Sequence, residues 1–387
     1  MVKVARTVLT GGKFEKTYLS GYELLYFIDN GLWELCGLGG GTLQLLLVPG
    51  LLSNKKVKKS KNPLARKGKG KGKVKINGKT ISMSLSKLQT LIEKHKSKAK
   101  QSYFNNEFTS EFLTSLRYLI NGLFQAEGSW SGTFYSESSH RFFPKFSIGQ
   151  NVSDESLRFF SLIWVILGCK LVWDISKTQS GNFHIQLRST NKEYIIWVLM
   201  PYFSLTYGAK FMAMVKLLKI VAFDRGSTSS SRREIVDLVY SLSPDGRSRA
   251  ITLDEKLSLV TNKASKGFSE LQPDAPLSSE AKPLEVKENT ATMGILFILG
   301  FFLGDGSLYI RISDNITGLL FIPKFETKQK NTPNNLRLQK LVCAFLNSKG
   351  VQAVVIIDSH YVLCVVEGIE NLKNLLFLLE PHHELFF

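Results

Sequence analysis

Hydrophobic residues recur along this chain in patterns that predict the same order of elements twice. Apolar positions with helical spacing cover Leu113–Glu127 and, much later, Ile295–Asp305. Each stretch is followed by short segments typical of strands, then by an amphipathic helix and a second pair of strands. Helices that alternate with pairs of strands indicate an α+β fold with antiparallel sheets.

The remaining elements follow from the same periodicities. In the first half, the predicted strands are Thr133–Tyr135, Phe143–Ile148, Lys170–Ser176 and Phe183–Leu187, and the further helices are Asp154–Leu167, Glu193–Met200 and Lys210–Val221. In the second half, the strands are Leu308–Ile312, Phe321–Lys328, Val351–Asp358 and Val362–Val366, and the further helices are Asn335–Asn347 and Asn371–Leu379.

Four segments are therefore expected along the chain. Residues 1–105 match neither half and form a basic, partly disordered extension. Residues 106–225 are repeat one and residues 291–387 are repeat two. Residues 226–290 have the Ser-, Pro- and charge-rich composition of a linker, with one short ordered piece expected at Ile235–Leu242.

A short motif marks both repeats. It reads INGLFQAEG at Ile120–Gly128 and ILGFFLGDG at Ile298–Gly306, with an acid, Glu127 or Asp305, before the last glycine. The match continues downstream, where a Pro-Lys-Phe run is followed four residues later by glutamine: Pro144–Phe146 with Gln150, and Pro323–Phe325 with Gln329. Self-similarity over this distance indicates two copies of one structural unit.

Small residues recur four apart in both motifs: Gly122 and Ala126, Gly300 and Gly304. That spacing places them one turn apart on a helix face, where a second backbone can approach closely. The closing glycines, Gly128 and Gly306, stand where a left-handed helix terminus is expected. The motifs therefore predict two helices packed through their small residues.

The two motif acids present an electrostatic problem. Glu127 and Asp305 each lie at the C-terminal end of a predicted helix, where the helix dipole is negative. Two such ends side by side would also bring like charges together. A divalent cation would relieve both costs, and oxygen ligands alone favour Mg²⁺.

The paired motifs resemble the signature helices of LAGLIDADG homing endonucleases of the two-motif, single-chain, organelle-intron-encoded type. The resemblance covers about residues 110–225 and 291–387. It implies two pseudo-symmetric αββαββα repeats, with packed signature helices and two antiparallel sheets that form a DNA-binding saddle. It also implies a monomer that cleaves both strands of double-stranded DNA at a specific site with Mg²⁺, which initiates intron mobility.

The resemblance assigns roles to particular residues. Glu127 and Asp305 would bind the metal, assisted by the carbonyls of Ala126 and Gly304. Gln150 and Gln329 resemble residues that organise water at the scissile phosphate, and because glutamine is not a strong base their role would be orientation. Lys210 is the candidate for the basic residue that polarises this water.

Repeat two is expected to end early. If Pro381 corresponds to Pro201, the last helix of repeat two and a counterpart of Lys210 are missing. This departure from the family pattern keeps a cleavage-deficient DNA-binding relative among the alternatives. An intron-encoded maturase that assists RNA splicing is the other alternative, with intron RNA as its partner.

Base recognition is expected from alternate residues on the first strand pair of each repeat, because a two-stranded ribbon fits the major groove. The candidates are Ser131, Thr133, Tyr135, Lys145 and Ser147 in repeat one, and Tyr309, Arg311, Lys324, Glu326 and Lys328 in repeat two. Because the two sets differ, the target is expected to be long and poorly palindromic.

Composition limits the class of binding partner and the type of cellular compartment that can be expected. The chain has 50 Lys+Arg against 32 Asp+Glu, a net charge of +18, which favours nucleic acid or an anionic membrane surface. No stretch has the length and hydropathy of a membrane span. Four cysteines without a CxxC pair predict neither zinc nor disulfides and fit a reducing compartment.

Two further features concern location and binding. Abundant Phe, Lys, Ile and Asn are typical of an AT-rich organelle genome, so the mitochondrial matrix is expected, with the chloroplast as the alternative. Lys55–Lys79 holds twelve Lys/Arg and no acid, and we expect it to bury no core. This segment is either a solvated tail or an arm that binds phosphates.

Overall fold

The computed structural model describes residues 3–10, 13–19, 71–105, 107–135, 141–223, 229–242, 251–265, 293–315 and 318–382. Within them, two α+β units follow one another along the chain, each with its own hydrophobic core. These units are repeat one and repeat two, so the predicted fold class is confirmed. No helix in the described ranges combines the length and the apolar character needed to cross a membrane.

Five elements precede repeat one: β1 (Lys3–Thr10), β2 (Lys13–Leu19), β3 (Gly72–Ile76), β4 (Lys79–Met83) and α1 (Leu85–Phe104). Val74, Leu88 and Ile92 are buried in the core of repeat one. The expectation that Lys55–Lys79 buries no core is therefore wrong at β3, where strand alternation turns Val74 inward and leaves the lysines beside it accessible. Residues 55–70 lie outside the described ranges.

Repeat one begins with α2 (Ser110–Glu127), β5 (Gly128–Phe134), β6 (Phe142–Asn151), α3 (Asp154–Ile166), β7 (Val172–Lys177) and β8 (Phe183–Ser189). The strands form an antiparallel sheet in the order β5-β6-β8-β7. The hydroxyl of Thr109 accepts from the amide of Phe112 and caps α2, and Ser153 opens α3 with a capping box. Both helices pack their apolar sides on one face of the sheet, which leaves the other face open.

The chain continues through α4 (Lys192–Tyr194), a π-helical turn (Ile195–Leu199), α5 (Met200–Tyr202), α6 (Gly208–Phe223), α7 (Ser229–Leu242) and α8 (Leu253–Ser265). The last two helices lie within residues 226–290, where composition predicted a linker. Ile235, Val236 and Val239 of α7 are buried. Their helical spacing forms an apolar stripe, which the many polar residues around it obscure when only composition is considered.

Repeat two consists of α9 (Ile295–Asp305), β9 (Gly306–Asn315), β10 (Gly318–Lys330), α10 (Pro333–Ser348), β11 (Ala353–Ile357), β12 (Tyr361–Glu367) and α11 (Ile369–Leu379). Its four strands follow the same order as in repeat one, β11-β12-β10-β9, and β1 and β2 extend the sheet beyond β9. The predicted element order is confirmed, with boundaries shifted by a few residues.

Helices α2 and α9 pack directly against each other through glycines. A methyl group placed on Gly122 would lie 1.9 Å from the carbonyl oxygen of Phe297, and one on Gly300 would lie 1.9 Å from that of Leu119. The two contacts are equivalent by the internal repeat, so the helices cross about a local twofold axis. Only glycine at both positions allows the two backbones to approach this closely.

The closing glycines of the motifs are not left-handed, contrary to expectation. Gly128 has φ −79° and Gly306 has φ −72°, because each helix passes straight into the first strand of its repeat. Space explains the glycines instead. A methyl group on Gly128 would lie 2.1 Å from the ring of Phe124, and one on Gly306 would lie 2.4 Å from the carbonyl oxygen of Phe302.

Candidate active site

The two motif acids lie at neighbouring helix ends. α2 ends at Glu127 and α9 ends at Asp305. A methyl group on Gly304 would lie 2.3 Å from Cβ of Ala126 and 2.9 Å from Cγ of Glu127, so the last turns of the two helices touch. The structure thus brings the predicted acids and the predicted small residues together at the interface between the repeats.

Lys210 joins the acids from α6. Its half-buried ammonium group donates to the carbonyl of Gly128, the residue after Glu127. Burial lowers the pKa of Lys210, and the nearby carboxylates of Asp305 and Glu127 partly offset this effect. The side-chain nitrogen of Lys210 therefore lies beside the acid pair and adjacent to both repeats.

The two equivalent glutamines make different contacts. Gln329 donates from Nε2 to the carboxylate of Asp305. Gln150 instead reaches into repeat two, where its Nε2 donates to the carbonyl of Leu303 at 3.2 Å. One predicted glutamine therefore orients an acid of the pair, while the other holds the last turn of the neighbouring helix, two residues before Asp305.

A row of polar side chains on α2 was not predicted. Arg117, Asn121 and Gln125 are spaced four residues apart in an otherwise apolar helix, which places them on one face. Asn121 and Gln125 are 0% and 2% exposed. The sequence did contain a signal for this polar row. Polar residues at helical spacing within an apolar helix are buried together with it, and buried polar groups require hydrogen-bond partners.

This polar row holds the chain segment that leads to Lys210. Arg117 donates to the carbonyls of Pro201 at 2.7 Å and Tyr202 at 3.2 Å. Asn121 donates to the carbonyl of Tyr202 at 2.9 Å and accepts from the amide of Leu205 at 3.3 Å.

Gln125 completes the set. It accepts from the amide of Tyr207 at 2.8 Å and donates to the carbonyl of the same residue at 3.3 Å. Gly208 follows with φ +53° and opens α6, which carries Lys210. The positions equivalent to the polar row on α9 are apolar: Ile295, Leu299 and Leu303. Among the described residues, repeat one therefore has this hydrogen-bond network and α9 of repeat two lacks the side chains to form an equivalent one.

The donor set fits a metal that is shared with a substrate. In the described ranges no three His, Cys, Asp or Glu side chains cluster as a metal site. Mg²⁺ commonly binds through one or two carboxylates and completes its shell with water and substrate phosphates. Two adjacent carboxylates at negative helix ends match that requirement. The electrostatic effect of both carboxylates on Lys210 places them close to one point.

The predicted DNA-contacting residues of repeat one share a single face of the sheet. Ser131 lies opposite Lys145 and Thr133 lies opposite Phe143, and this set alternates with the core residues Trp130 and Phe146. Of the predicted set, Tyr135 is 73% exposed just beyond β5, whereas Ser147 is buried. By strand alternation the predicted set therefore lies on the face opposite Trp130 and Phe146, and Ser147 is the buried member of the set.

Further residues on this face belong to the second strand pair and were not predicted: Asp174, Ser176, His184, Gln186 and Arg188. Arg188 pairs with Asp174 at 3.0 Å. The available signal in the sequence was the alternation of apolar and polar residues along β8, which matches its alternation of buried and accessible positions. The prediction missed them because it limited DNA contact to the first strand pair.

In repeat two, the predicted residues also lie on the open face, but most of them have partners within it. The hydroxyl of Tyr309 donates to Glu326 at 2.7 Å, and Lys324 lies 3.2 Å from the same carboxylate. Arg311 pairs with Glu367 at 3.0 Å. Lys328 lies 3.9 Å from the ring centre of Tyr361.

Comparison with known proteins supports the fold. No protein-family model matches the sequence, and no curated protein does. The structure of I-SmaMI bound to uncleaved DNA target in the presence of calcium ions matches over 69% of this chain and 84% of its own, at 15% identity and a TM-score of 0.50. The I-LtrWI LAGLIDADG homing endonuclease bound to target DNA matches over 70% and 84%, at 16% identity and a TM-score of 0.49.

A further structure of I-SmaMI is described as that of a LAGLIDADG homing endonuclease bound to cleaved DNA, at 15% identity and a TM-score of 0.49. The match to I-SmaMI at a TM-score of 0.50 supports for this chain the LAGLIDADG homing endonuclease fold that the paired motifs predicted. At such low identity the likeness concerns the fold, and the chemistry has to follow from the residues of this chain.

Proposed function

We propose that this protein is a site-specific endonuclease that hydrolyses both strands of double-stranded DNA with Mg²⁺. The observation that carries the proposal is the contact of Gly304 with Ala126 and Glu127, which sets the acids of two repeats side by side. A single acid at a helix end is ordinary, but two equivalent acids at the axis of an internal repeat match the two strands of a duplex.

The residues around the acids have complementary roles. Mg²⁺ bound by Glu127 and Asp305 would activate water and neutralise charge on the phosphate and the leaving oxygen. Gln329 fixes the orientation of the Asp305 carboxylate by donating to it. The side-chain nitrogen of Lys210 lies beside both acids, where it would be close to a bound scissile phosphate. Gln150 fixes the end of α9 through the carbonyl of Leu303.

Recognition of DNA would use the open faces of the two sheets. Alternate residues on adjacent antiparallel strands can enter the major groove and contact base edges. The net charge of +18 favours a polyanionic partner. The two faces carry different side chains, which favours a long target whose halves differ. Because both acids come from one chain, we propose that the protein acts as a monomer.

The biological setting follows from the resemblance and the composition. We place the protein in the mitochondrial matrix, with the chloroplast as the alternative, and its gene in an organelle intron. Cleavage of an intron-free allele would then start transfer of the intron. The lack of a CxxC pair in the sequence fits a reducing compartment.

The test is cleavage of DNA that joins the two sequences flanking the host insertion site. The purified chain should cut this junction at one position in Mg²⁺ and leave it intact in EDTA. Tight, specific binding in Mg²⁺ without strand cleavage would contradict the proposal and identify a cleavage-deficient relative. Rescue of host-intron splicing, measured with the same preparation, would identify maturase activity.

A further inference from the structure

The second strand pair of repeat one, β7 and β8, and that of repeat two, β11 and β12, have side chains of different polarity at most equivalent positions of the open face. Directly opposed residues form rows across each sheet. The row Gly149–Gln186–Asp174 in repeat one corresponds to the row Lys328–Leu363–Ile356 in repeat two, and the row Ser147–Arg188–Val172 corresponds to Glu326–Val365–Val354. Repeat two therefore has aliphatic side chains where repeat one has Arg188, Gln186 and Asp174.

Part of this aliphatic surface is accessible. Val354 is 57% exposed and Ile356 is 43% exposed, whereas Ala353 on the same strand is buried on the core side. Leu363 is partly accessible beside them. Exposed aliphatic side chains on adjacent strands carry an unfavourable hydration cost unless something covers them.

Most polar side chains on the same face already contact one another. Glu326 binds the hydroxyl of Tyr309 and the ammonium group of Lys324. Lys328 lies over the ring of Tyr361, next to the aliphatic row. A duplex that approached this face would therefore meet accessible methyl groups beside basic side chains. Continuity with the exposed Lys328 argues that a polyanion covers the surface, since a protein partner would have to bury this charge.

We propose that Val354, Ile356 and Leu363 read thymine through its C5 methyl group in the half-site bound by repeat two. This inference rests on the proposed DNA-binding function. In the major groove, thymine is the base that presents an apolar methyl group, and aliphatic side chains favour contact with it. The equivalent polar residues of repeat one, Gln186 and Arg188, suit hydrogen bonds to base edges instead. The two half-sites are therefore read by different chemistry.

The test begins with selection of preferred sites from randomised DNA, using the full chain in EDTA so that no strand is cut. The selection is repeated with Lys145→Ala. The half of the DNA site whose base preference changes is the half bound by repeat one, so the other half is bound by repeat two. Every thymine is then replaced by uracil, which lacks only the methyl group, in one half at a time. Dissociation constants are measured for each duplex.

We expect uracil in the repeat-two half to weaken binding about fourfold for each contacted methyl group. Uracil in the repeat-one half should weaken binding less, because Val172, the equivalent of Val354, is the aliphatic residue of these two rows there and is 50% exposed. In Ile356→Ser and Val354→Ser the penalty for uracil should shrink, because the methyl groups that favour contact with the thymine methyl have been removed. Both positions are well exposed, so these variants should fold.

Equal penalties in the two halves would overturn the inference, as would a full penalty in both variants. Failure of the proposed sequence-specific DNA binding has a different signature, since selection would then give no preferred sequence at all. The control variant Gln186→Leu introduces an aliphatic side chain at the equivalent position of repeat one. It should create a penalty for uracil in that half.

Discussion

The side-chain amide of Gln125 bonds to the backbone of Tyr207 in both directions, with Oε1 accepting at 2.8 Å and Nε2 donating at 3.3 Å. One residue later Gly208 takes φ +53° and α6 begins. The ammonium group of Lys210 then lies beside the two motif acids. Gln125 does not have to touch a substrate to matter, because it fixes the segment that places Lys210.

We predict that Gln125→Leu lowers the rate of DNA cleavage about 10- to 100-fold while DNA affinity changes little, since a misplaced catalytic group costs rate rather than binding. Leucine is the residue found at the equivalent position 303, so it suits a buried helix. Single-turnover cleavage and a binding titration measure the two quantities. Loss of both hydrogen bonds should also cost about 1–3 kcal/mol of stability.

The matched control uses Lys210→Ala. If Gln125 acts by positioning Lys210, then Gln125→Leu should have little further effect on the cleavage rate of Lys210→Ala. A role limited to overall stability would give independent, multiplying effects. Multiplying effects on cleavage in the double variant would therefore reject the positioning role.

Local patterns predicted most of the fold because they are repeated. The glycines at 122 and 300 indicate close helix packing by their position alone, since a four-residue spacing of small residues has few other uses. The same local reasoning was wrong about Gly128. Whether that glycine is needed for a positive φ or for space depends on the ring of Phe124, which packs against it only in the folded unit.

Contacts between distant segments could not be predicted in the same way. The alternation that buries Val74 lies within a lysine-rich segment that composition marks as unfolded. The contact of Gln150 with Leu303 joins two repeats across the local axis, so the equivalence of Gln150 and Gln329 in sequence did not predict their different partners. Sequence patterns indicated candidate site residues, and tertiary packing determined which of these candidates meet.

Removing either motif charge should abolish double-strand cleavage. Glu127→Gln and Asp305→Asn each remove a proposed ligand charge while keeping the shape of the side chain, so DNA binding should remain close to that of the unmodified protein. Stability should rise slightly, because an anion at a helix C-terminus is unfavourable. Cleavage and mobility-shift assays on one fragment measure both effects. Unchanged cleavage rates in both variants would rule out a shared metal site.

The crossing glycines should tolerate no added methyl group. Gly122→Ala would place Cβ 1.9 Å from the carbonyl oxygen of Phe297, so α2 and α9 must move apart. We expect a loss of about 1–3 kcal/mol in unfolding free energy, together with loss of cleavage. The control is Gly294→Ala, where φ is −91° and no atom lies within 4 Å. Gly294 is the N-cap of α9, where alanine is less favourable than glycine, so denaturant titration should give a loss of no more than about 1 kcal/mol for this control, without loss of cleavage.

The protein should lose stability below pH 6.5 in part through His95. Burial lowers the pKa of His95 from its ordinary value of 6.5, although Asp154, 3.3 Å away, raises it. Because the pKa is lower in the folded state, the unfolded chain binds more protons as the pH falls, and unfolding becomes easier. Denaturant titrations at about pH 7.5 and about pH 5.5, on either side of the unfolded-state pKa, should show a smaller loss for His95→Asn. The exposed His360→Asn serves as the control, and an equal reduction in both variants would contradict the assignment.

The basic segment before β3 should contribute to DNA affinity without setting the cleavage position. Residues 55–70 contain eight Lys/Arg and no acid, and phosphate contacts carry no direct sequence information. Deleting residues 55–70 should weaken binding and flatten the dependence of log affinity on log salt by about 0.9 for each phosphate that the segment binds. Deletion through residue 100 is a different experiment, because it removes Val74, Leu88 and Ile92 from the core of repeat one and should lower the melting temperature. An unchanged salt slope in the shorter deletion would show that the segment does not touch DNA, and a shifted cut would show that it takes part in specific recognition.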